Sequence, residues 1–185
     1  MSGEKGSNLI FKVYSQNKLK LNKDILTDIA NLKLQWWGRT VNKQIRYINS
    51  LGNTSSHIVG FLDKKIIAYV RLIKREIKGE QSCYKVIGVS TVCVNKSYRH
   101  YGYGVSIMKQ VNTIIDEEEY DFGLLQCNES LKKFYEKCGW HKTTQEFIRV
   151  DKFWKKVNAF KENNVMIYPR RDFLEKVVDI CGNSF

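Results

Sequence analysis

Residues 92–105 read V-C-V-N-K-S-Y-R-H-Y-G-Y-G-V, and much of the architecture can be worked out from this segment. A β-type apolar run ends near Val94, a loop with two glycines follows, and helical spacing starts after Gly104. Glycines at positions i and i+2 let the backbone turn tightly with no Cβ in the way. Several N–H groups then point into one concavity at a helix N-terminus, which favours phosphate binding. Arg99 adds a positive charge to this loop.

The loop differs from two common phosphate-binding loops. It lacks the G-K-[ST] ending of a Walker A loop, and Ile107 stands where a dinucleotide-binding fingerprint has its third glycine. Taken alone, the segment therefore leaves a second interpretation open, a plain glycine turn between a strand and a helix.

On the N-terminal side of this segment the pattern predicts four strands and two helices. Ile25, Ile29, Leu32 and Trp36 recur at helical spacing, so Trp36 is expected to complete a core-facing stripe. A tight turn at residues 63–64 joins two β-prone runs into a hairpin. The predicted strands are 8–14, 57–62, 66–77 and 83–94, and the predicted helices are 23–37 and 41–48.

On the C-terminal side strands alternate with helices. The predicted helices follow Gly104, span 131–138 before Gly139, and span 172–181, and the predicted strands are 122–127, 143–150 and 165–168. Strands that cluster early and then alternate with helices indicate an α+β or mixed α/β fold, with helices on both sheet faces. The length of 185 residues predicts a single domain over 1–185.

A second segment, residues 122–140, reads F-G-L-L-Q-C-N-E-S-L-K-K-F-Y-E-K-C-G-W. Together the two segments resemble the Gcn5-related N-acetyltransferase (GNAT) superfamily. The first resembles its acyl-CoA motif, R/Q-x-x-G-x-G/A after a V-x-V strand, and the second its downstream motif, N-x-x-x-x-x-[LF]-Y-x-K-x-G-[FW]. The resemblance covers roughly residues 66–149. It implies a central mixed, largely antiparallel sheet flanked by helices on both faces.

The resemblance also implies a co-substrate, acetyl-CoA or another short acyl-CoA. The backbones of Val92 and Val94 would pair with the pantetheine arm, and loop N–H groups would hold the pyrophosphate. Splaying of the strand beside Val94 would make room for the thioester. Backbone N–H groups there would polarise the thioester carbonyl. The implied cofactor-binding residues are Val92, Cys93, Val94, Arg99, His100, Tyr101, Gly102, Tyr103, Gly104, Val105 and Asn128.

Two side chains of the second segment carry implied roles. Tyr135 matches the tyrosine with which GNAT enzymes protonate the leaving CoA thiolate. A phenol with a pKa near 10 is protonated at neutral pH and can donate to a thiolate of pKa about 8.5. Asn128 matches the asparagine that contacts the pantetheine arm, and it also suits a helix N-cap. A core aromatic on a helix face is the alternative for Tyr135.

The residues do not identify a general base. In aminoglycoside-modifying GNAT enzymes a carboxylate on the central strand often serves through water, but the corresponding residues 88–91 carry none. Ser90 could only orient a water molecule, and it is a candidate substrate-binding residue at the acceptor site. His57 and His141 are candidates by residue type, and each is more readily explained as a structural or exposed histidine.

Composition narrows the class of partner. The formal net charge is +12, which predicts attraction to anions such as a phosphorylated small molecule. The five cysteines include no C-x-x-C pair, so we expect buried thiols, and neither a metal site nor a disulfide framework. The N-terminus has no apolar signal-peptide core, and no run approaches a transmembrane length. We expect a cytosolic protein that does not interact with membranes.

The acceptor amine is the least determined part of the function. The chain is similar to sugar N-acyltransferases that act on nucleotide-linked amino sugars, whose diphosphate suits the basic charge. Trp37 and Arg39 fall where GNAT enzymes commonly build the acceptor site. A weaker resemblance to aminoglycoside 2′-N-acetyltransferases, and a protein or peptide N-acetyltransferase, are the alternatives. The tail after Val150 could complete the sheet or contact a partner subunit.

A non-enzymatic alternative is a basic nucleic-acid-binding protein. The chain has ten tyrosines and four tryptophans, which could stack on bases. Its Lys and Arg residues are spread along the whole chain, however, and no RNP or helix-turn-helix pattern occurs. We therefore expect a small-molecule amine as the partner and not nucleic acid.

Overall fold

The computed structural model describes residues 9–162, 164–169, 175–183 and 185 of the 185-residue chain. Within these ranges the helices are α1 (Gln16–Leu21), α2 (Lys23–Leu34), α3 (Val41–Asn49), α4 (Tyr103–Glu117) and α5 (Glu129–Lys137). The strands are β1 (Leu9–Ser15), β2 (Ser55–Leu62), β3 (Lys65–Lys78), β4 (Cys83–Val94), β5 (Phe122–Cys127), β6 (His141–Lys142), β7 (Glu146–Val150), β8 (Lys156–Asn158), β9 (Asn164–Tyr168) and β10 (Val177–Asp179). No helix among these residues is long and apolar enough to cross a membrane.

The chain divides into two compact units, and β3, β4 and α4 contribute residues to both. The first unit contains the chain up to Leu72 and Thr91–Gln110. In it β1 runs antiparallel to β2, and β2 pairs in turn with β3. Helices α1–α3 share an apolar core with these strands, formed by Leu19, Leu26, Ile29, Leu32, Ile48, Val59, Ile66, Tyr69 and Cys93.

The second unit contains Ile73–Ser90 and Val111–Phe185. Its strand order is β6-β9-β5-β4-β3-β10-β7-β8. Two neighbouring pairs, β4 with β5 and β10 with β7, are parallel, whereas β5 with β9 and β7 with β8 are antiparallel. The core of this unit is formed by Ile77, Val86, Phe122, Leu124, Phe147, Ala159, Phe160, Ile167, Val178 and Ile180. The predicted fold class, a mixed and largely antiparallel sheet with helices packed against it, is confirmed.

The side chain of Trp140 organises the helical side of the second unit. It is fully buried, and its indole Nε1 donates to Asn112 Oδ1 at 3.0 Å. The Asn112 amide in turn donates to the Cys138 carbonyl at 2.9 Å, which ties α4 to the end of α5. A Cβ at Gly123 would lie 2.6 Å from the Trp140 ring, so β5 can pass beneath the ring only as glycine.

Most elements predicted from the sequence are confirmed, and the C-terminal ones need correction. Residues 177–179 form the strand β10 and not the predicted helix, while 172–174 lie outside the described residues. The β-branched side chains of Val177 and Val178 suit a strand, and Val178 packs into the core beside β7. The predicted strand 143–150 begins only at Glu146. The sequence interpretation also missed α1, β6 and β8.

The hairpin between β2 and β3 turns at Asp63 and Lys64, as predicted. Their φ angles are 47° and 68°, so both central residues adopt the left-handed conformation of a type I′ turn. Neither residue is glycine, and for other L-residues this conformation is unfavourable by about 1–2 kcal/mol.

We expect Lys64→Gly to raise the free energy of unfolding by about 0.5–1 kcal/mol, because glycine relieves the positive φ and the gain exceeds its entropic cost. Lys65→Gly, at the first residue of β3, should lower it, since glycine is unfavourable in a strand and Lys65 has no positive φ to relieve. Urea unfolding of both variants measures the difference. Equal destabilisation by the two substitutions would contradict this account of the turn.

Candidate active site

Two side chains from the end of α2 hold the main chain where β4 ends. The Trp36 indole Nε1 donates to the Val94 carbonyl at 3.0 Å, and the Lys96 N–H donates to Gln35 Oε1 at 2.8 Å. The Asn95 N–H donates to the Ile67 carbonyl of β3 at 2.7 Å. The path of the chain into the glycine loop is therefore fixed by three hydrogen bonds.

This position of Trp36 corrects a sequence prediction. Helix α2 ends at Leu34, before the predicted end at Trp37, and Trp36 is 39% exposed and not part of the core. Lys96 Nζ lies 5.5 Å and the Arg99 guanidinium 5.3 Å from the centre of the Trp36 ring. The indole thus joins the strand end to two cations of the loop, a role that its helical spacing did not reveal.

The loop itself presents unpaired main-chain donors. After a 3₁₀ turn at Lys96–Tyr98, His100 and Gly102 adopt positive φ angles of 68° and 83°. The N–H groups of His100, Tyr101 and Gly102 donate to no other described residue. The next three N–H groups open α4 and have no acceptor within the helix by their position. Consecutive free donors and the positive end of a helix dipole together make a site suited to a phosphate group.

The space beside Gly102 is open. A Cβ built there would meet no protein atom within 4 Å, so its positive φ, and not crowding by the protein, is what requires glycine. Around the loop Tyr101 and Tyr103 stack with ring centres 6.2 Å apart, and Tyr101 is 73% exposed. The side chains thus leave the main chain accessible.

Strand β4 is bent just before the V-C-V segment. Thr91 has a φ of 56°, an unusual conformation for a β-branched residue. The parallel pairing of β4 with β5 covers only Val86–Gly88 and stops three residues before Thr91. Val92 and Val94 are half-buried and Cys93 is buried. Such local strain is often found at functional sites, where the surrounding structure holds it in place.

Asn128 and Tyr135 lie at the start and in the last turns of α5. Asn128 is the N-cap, since its Oδ1 accepts from the Leu131 N–H at 3.2 Å and from the Ser130 hydroxyl at 2.7 Å. Its Nδ2 donates to no other described residue. The capping role is therefore confirmed, and the amide nitrogen remains available to a ligand.

The Tyr135 phenol is suited to holding a proton. The side chain is 7% exposed, and its hydroxyl forms no hydrogen bond with another described residue. Burial, with smaller contributions from Cys127 and Cys138, raises the pKa of Tyr135 well above its usual value. The phenol is thus fully protonated at neutral pH.

The histidines considered from the sequence do not form a proton relay to solvent. His57 is fully buried, with Nδ1 2.8 Å from the Tyr69 hydroxyl and Nε2 2.7 Å from Gln16 Oε1. Burial, and the positive charges of Arg71 and Lys33, lower the pKa of His57 to about 4. His57 is therefore a neutral core residue, and His141 is an exposed residue of β6.

The three residues expected at the acceptor site have different surroundings. Trp37 is 40% exposed, and its carbonyl accepts the Arg39 N–H at 2.6 Å. The Arg39 guanidinium lies 5.7 Å from the centre of the Tyr47 ring. Both belong to the first unit, whereas Ser90 is a half-buried residue of β4 in the second.

Comparison with known proteins agrees with this arrangement. Residues 53–142 match the family model described as "Acetyltransferase (GNAT) domain". The structure is similar to the GNAT family N-acetyltransferase YhbS from Escherichia coli in complex with CoA, with a TM-score of 0.66 at 11% identity over 97% of this chain and 93% of that one.

Two further structures have assigned acceptors. Glucosamine-6-phosphate N-acetyltransferase from Arabidopsis thaliana gives a TM-score of 0.54 at 20% identity over 72% of this chain and 93% of that one. Aminoglycoside N-acetyltransferase AAC(6′)-Iy in complex with CoA gives a TM-score of 0.62 at 15% identity over 77% of this chain and 93% of that one. The chain spans only 33% of a longer probable N-acyltransferase from Enterococcus faecalis V583. These identities establish a common fold and leave the substrate open.

The resemblance inferred from the two sequence motifs is therefore confirmed. The chain carries an acetyltransferase domain of the GNAT family at residues 53–142, and this domain indicates an acyltransferase enzyme.

We expect Gly102→Val to weaken CoA binding at least tenfold, because valine cannot adopt the positive φ that aims the loop N–H groups. Gly38→Val is the matched control, since a Cβ at Gly38 also meets no protein atom and its φ is not positive. Isothermal titration with CoA measures both. An unchanged affinity in folded Gly102→Val protein would rule out this loop as the pyrophosphate site.

Proposed function

We propose that this enzyme transfers an acetyl or other short acyl group from acyl-CoA to the amine of a small molecule, an amino sugar that carries a nucleotide. The observation on which the proposal rests is the row of free N–H groups from His100 into the first turn of α4. Two neighbouring cations, Lys96 and Arg99, form no ion pair with a described residue and suit the same diphosphate.

The pantetheine arm would follow the V-C-V segment of β4. The carbonyl of Val94 is already used by Trp36, so pairing there would rely mainly on the backbone of Val92 and the N–H of Val94. The Nδ2 of Asn128 can donate to an amide carbonyl of the arm while Oδ1 caps α5. Main-chain N–H groups beside the bend at Thr91 would polarise the acyl carbonyl.

Tyr135 would act as the general acid. When the amine attacks the thioester carbon, the C–S bond breaks and the electron pair passes to sulfur. A phenol kept protonated by burial can then donate its proton to the CoA thiolate, whose pKa is about 8.5. The raised pKa also means that ionisation of Tyr135 would not limit the rate at neutral or mildly alkaline pH.

An anionic acceptor suits the first unit better than a cationic one. The net charge is +12, and exposed Trp37 offers a face for stacking on a sugar or a base. The structural similarity to glucosamine-6-phosphate N-acetyltransferase supports this class of acceptor. The similarity to aminoglycoside N-acetyltransferase favours a polycation, which needs acidic walls. Arg39, two residues after Trp37, instead lies near two further cations of the first unit, because the charges of Arg39 and Arg71 both act on Lys33.

Release of free CoA thiol tests the reaction and the acceptor together. Acetyl-CoA and a longer acyl-CoA are each offered dTDP- and UDP-linked amino sugars, aminoglycosides and lysine peptides. We expect a nucleotide-linked amino sugar to give a kcat/KM at least tenfold above any aminoglycoside or peptide. Turnover confined to an aminoglycoside or a peptide would refute the acceptor, and a chain that neither releases thiol nor binds CoA would refute the proposal.

We expect Tyr135→Phe to lower kcat about 100-fold or more while CoA affinity stays within about twofold, because only proton transfer to the leaving thiolate is lost. Tyr168→Phe is the control, since it removes another tyrosine hydroxyl of the second unit, one that donates to Asp116. Turnover at the wild-type rate in Tyr135→Phe would show that this phenol is not the acid.

A further inference from the structure

A lysine is buried in the first unit without an acidic partner among the described residues. Lys33, in the last turn of α2, is 3% exposed. Its ammonium lies 4.9 Å from the centre of the Tyr47 ring and 5.8 Å from that of Tyr69. No described Asp or Glu forms an ion pair with it. Lysine is almost never buried to this extent without a counter-charge.

Arg71 of β3 adds a second incompletely used cation to the same place. Its Nη1 donates to the Tyr47 hydroxyl at 2.9 Å, while its Nε is buried and has no hydrogen-bond partner among the described residues. Nε and Nη2 form the edge of the guanidinium that lies away from the Nη1 contact with Tyr47. That edge presents two parallel N–H donors, the arrangement that binds a carboxylate or phosphate in bidentate fashion.

Arg39, which follows α2 in the chain, is the third cation near Lys33 and Arg71. Its guanidinium lies over the same Tyr47 ring, at 5.7 Å from the centre, and forms no ion pair with a described residue. The positive charges of Arg39 and Arg71 both act on Lys33. We call Lys33, Arg39 and Arg71 the cation cluster.

Three titratable groups beside the cation cluster, Cys93, His57 and Tyr69, are neutral at pH 7. Burial raises the pKa of Cys93 to about 12, so its thiol supplies no negative charge. The pKa of His57 is lowered to about 4, and burial raises the pKa of Tyr69 far above its usual value. Burial lowers the pKa of Lys33 to about 8, which leaves the ammonium largely charged at neutral pH.

Three cations thus converge without an anion among the described residues. Lys33 is buried, Arg71 is half-buried and Arg39 is exposed, and burying the Lys33 charge disfavours folding unless something compensates for it. A cation–π contact offsets part of the penalty, and a bound oxyanion would offset far more because it is desolvated in the same place. Stability of the unliganded chain alone would favour an apolar residue at position 33.

We propose that the cation cluster binds an oxyanion of the acceptor, a phosphoryl or carboxylate group, with the Nε edge of Arg71 as its bidentate partner. This inference rests on the proposed function, since it assigns the group to the acyl acceptor. Tyr47 orients Arg71 through its hydroxyl, and Lys33 neutralises the second charge. The cluster belongs to the first unit and does not include the glycine loop, which serves the donor.

Titration of inorganic phosphate into the CoA-saturated protein tests the site without requiring turnover, because CoA fills the donor loop. The buffer contains no other oxyanion. We expect saturable binding that weakens about tenfold or more in Lys33→Met and in Arg71→Gln, since each removes a charge-assisted contact. Lys23→Met on α2 and Arg46→Gln on α3 remove the same charges at exposed positions and should leave the affinity unchanged.

Separate arms identify the source of the oxyanion. Acetate, a hexose 6-phosphate and dTDP are titrated in the same way, and thermal unfolding checks that every variant is folded. Where the enzyme acylates both a phosphorylated amine and the same amine without its phosphate, Lys33→Met should raise the KM for the phosphorylated amine and leave the KM for the neutral one unchanged. Absence of saturable phosphate binding, or equal losses in cluster and control variants, would overturn the site even if acyl transfer is observed. Intact anion binding with no acyl transfer would instead refute the proposed function.

Discussion

The hydrogen bond from the Trp36 indole to the Val94 carbonyl fixes the point at which strand β4 becomes the glycine loop. With the Gln35 contact to the Lys96 N–H, it joins the end of α2 to the main chain on which the donor site is built. Free N–H groups bind a diphosphate well only if their directions are set in advance, because ordering a mobile loop would consume part of the binding energy. The bend at Thr91 and the positive φ of Gly102 also help to set the direction of the main chain before the ligand binds.

Binding of the acyl donor and binding of the acceptor would use different kinds of groups. In the proposed function the donor is recognised mainly by backbone, and charged side chains near the loop remain exposed around Trp36. The cation cluster includes one buried side chain, Lys33, whose desolvation reduces stability when the proposed site is empty. A lysine kept inside a helix–sheet core against its desolvation cost indicates selection for binding over stability. The neutral state of His57 shows how little further positive charge this core admits.

The sequence predicted what depends on local pattern. Strand β4 was placed at residues 83–94 as observed, and the Asp63-Lys64 turn and the glycine after α5 were placed correctly, because apolar runs and turn residues determine them. Trp36 was misplaced because spacing cannot show that α2 ends at Leu34, after which the indole reaches a strand 58 residues away. Lys33 inside the apolar stripe of α2, and Arg71 inside an apolar strand, were visible signals of the cation cluster, but their convergence depends on tertiary packing.

Recognition of the donor through backbone N–H groups has a consequence for inhibition. A point mutation to any residue other than proline leaves the backbone N–H in place, so an inhibitor that occupies the loop from His100 to Gly104 meets groups that few single substitutions can remove. The exception is Gly102, where a substitution that evades the inhibitor would also abandon the conformation needed for the natural co-substrate. Resistance would therefore have to arise elsewhere, whereas a compound directed at Lys33 and Arg71 could be escaped by exchanging either side chain.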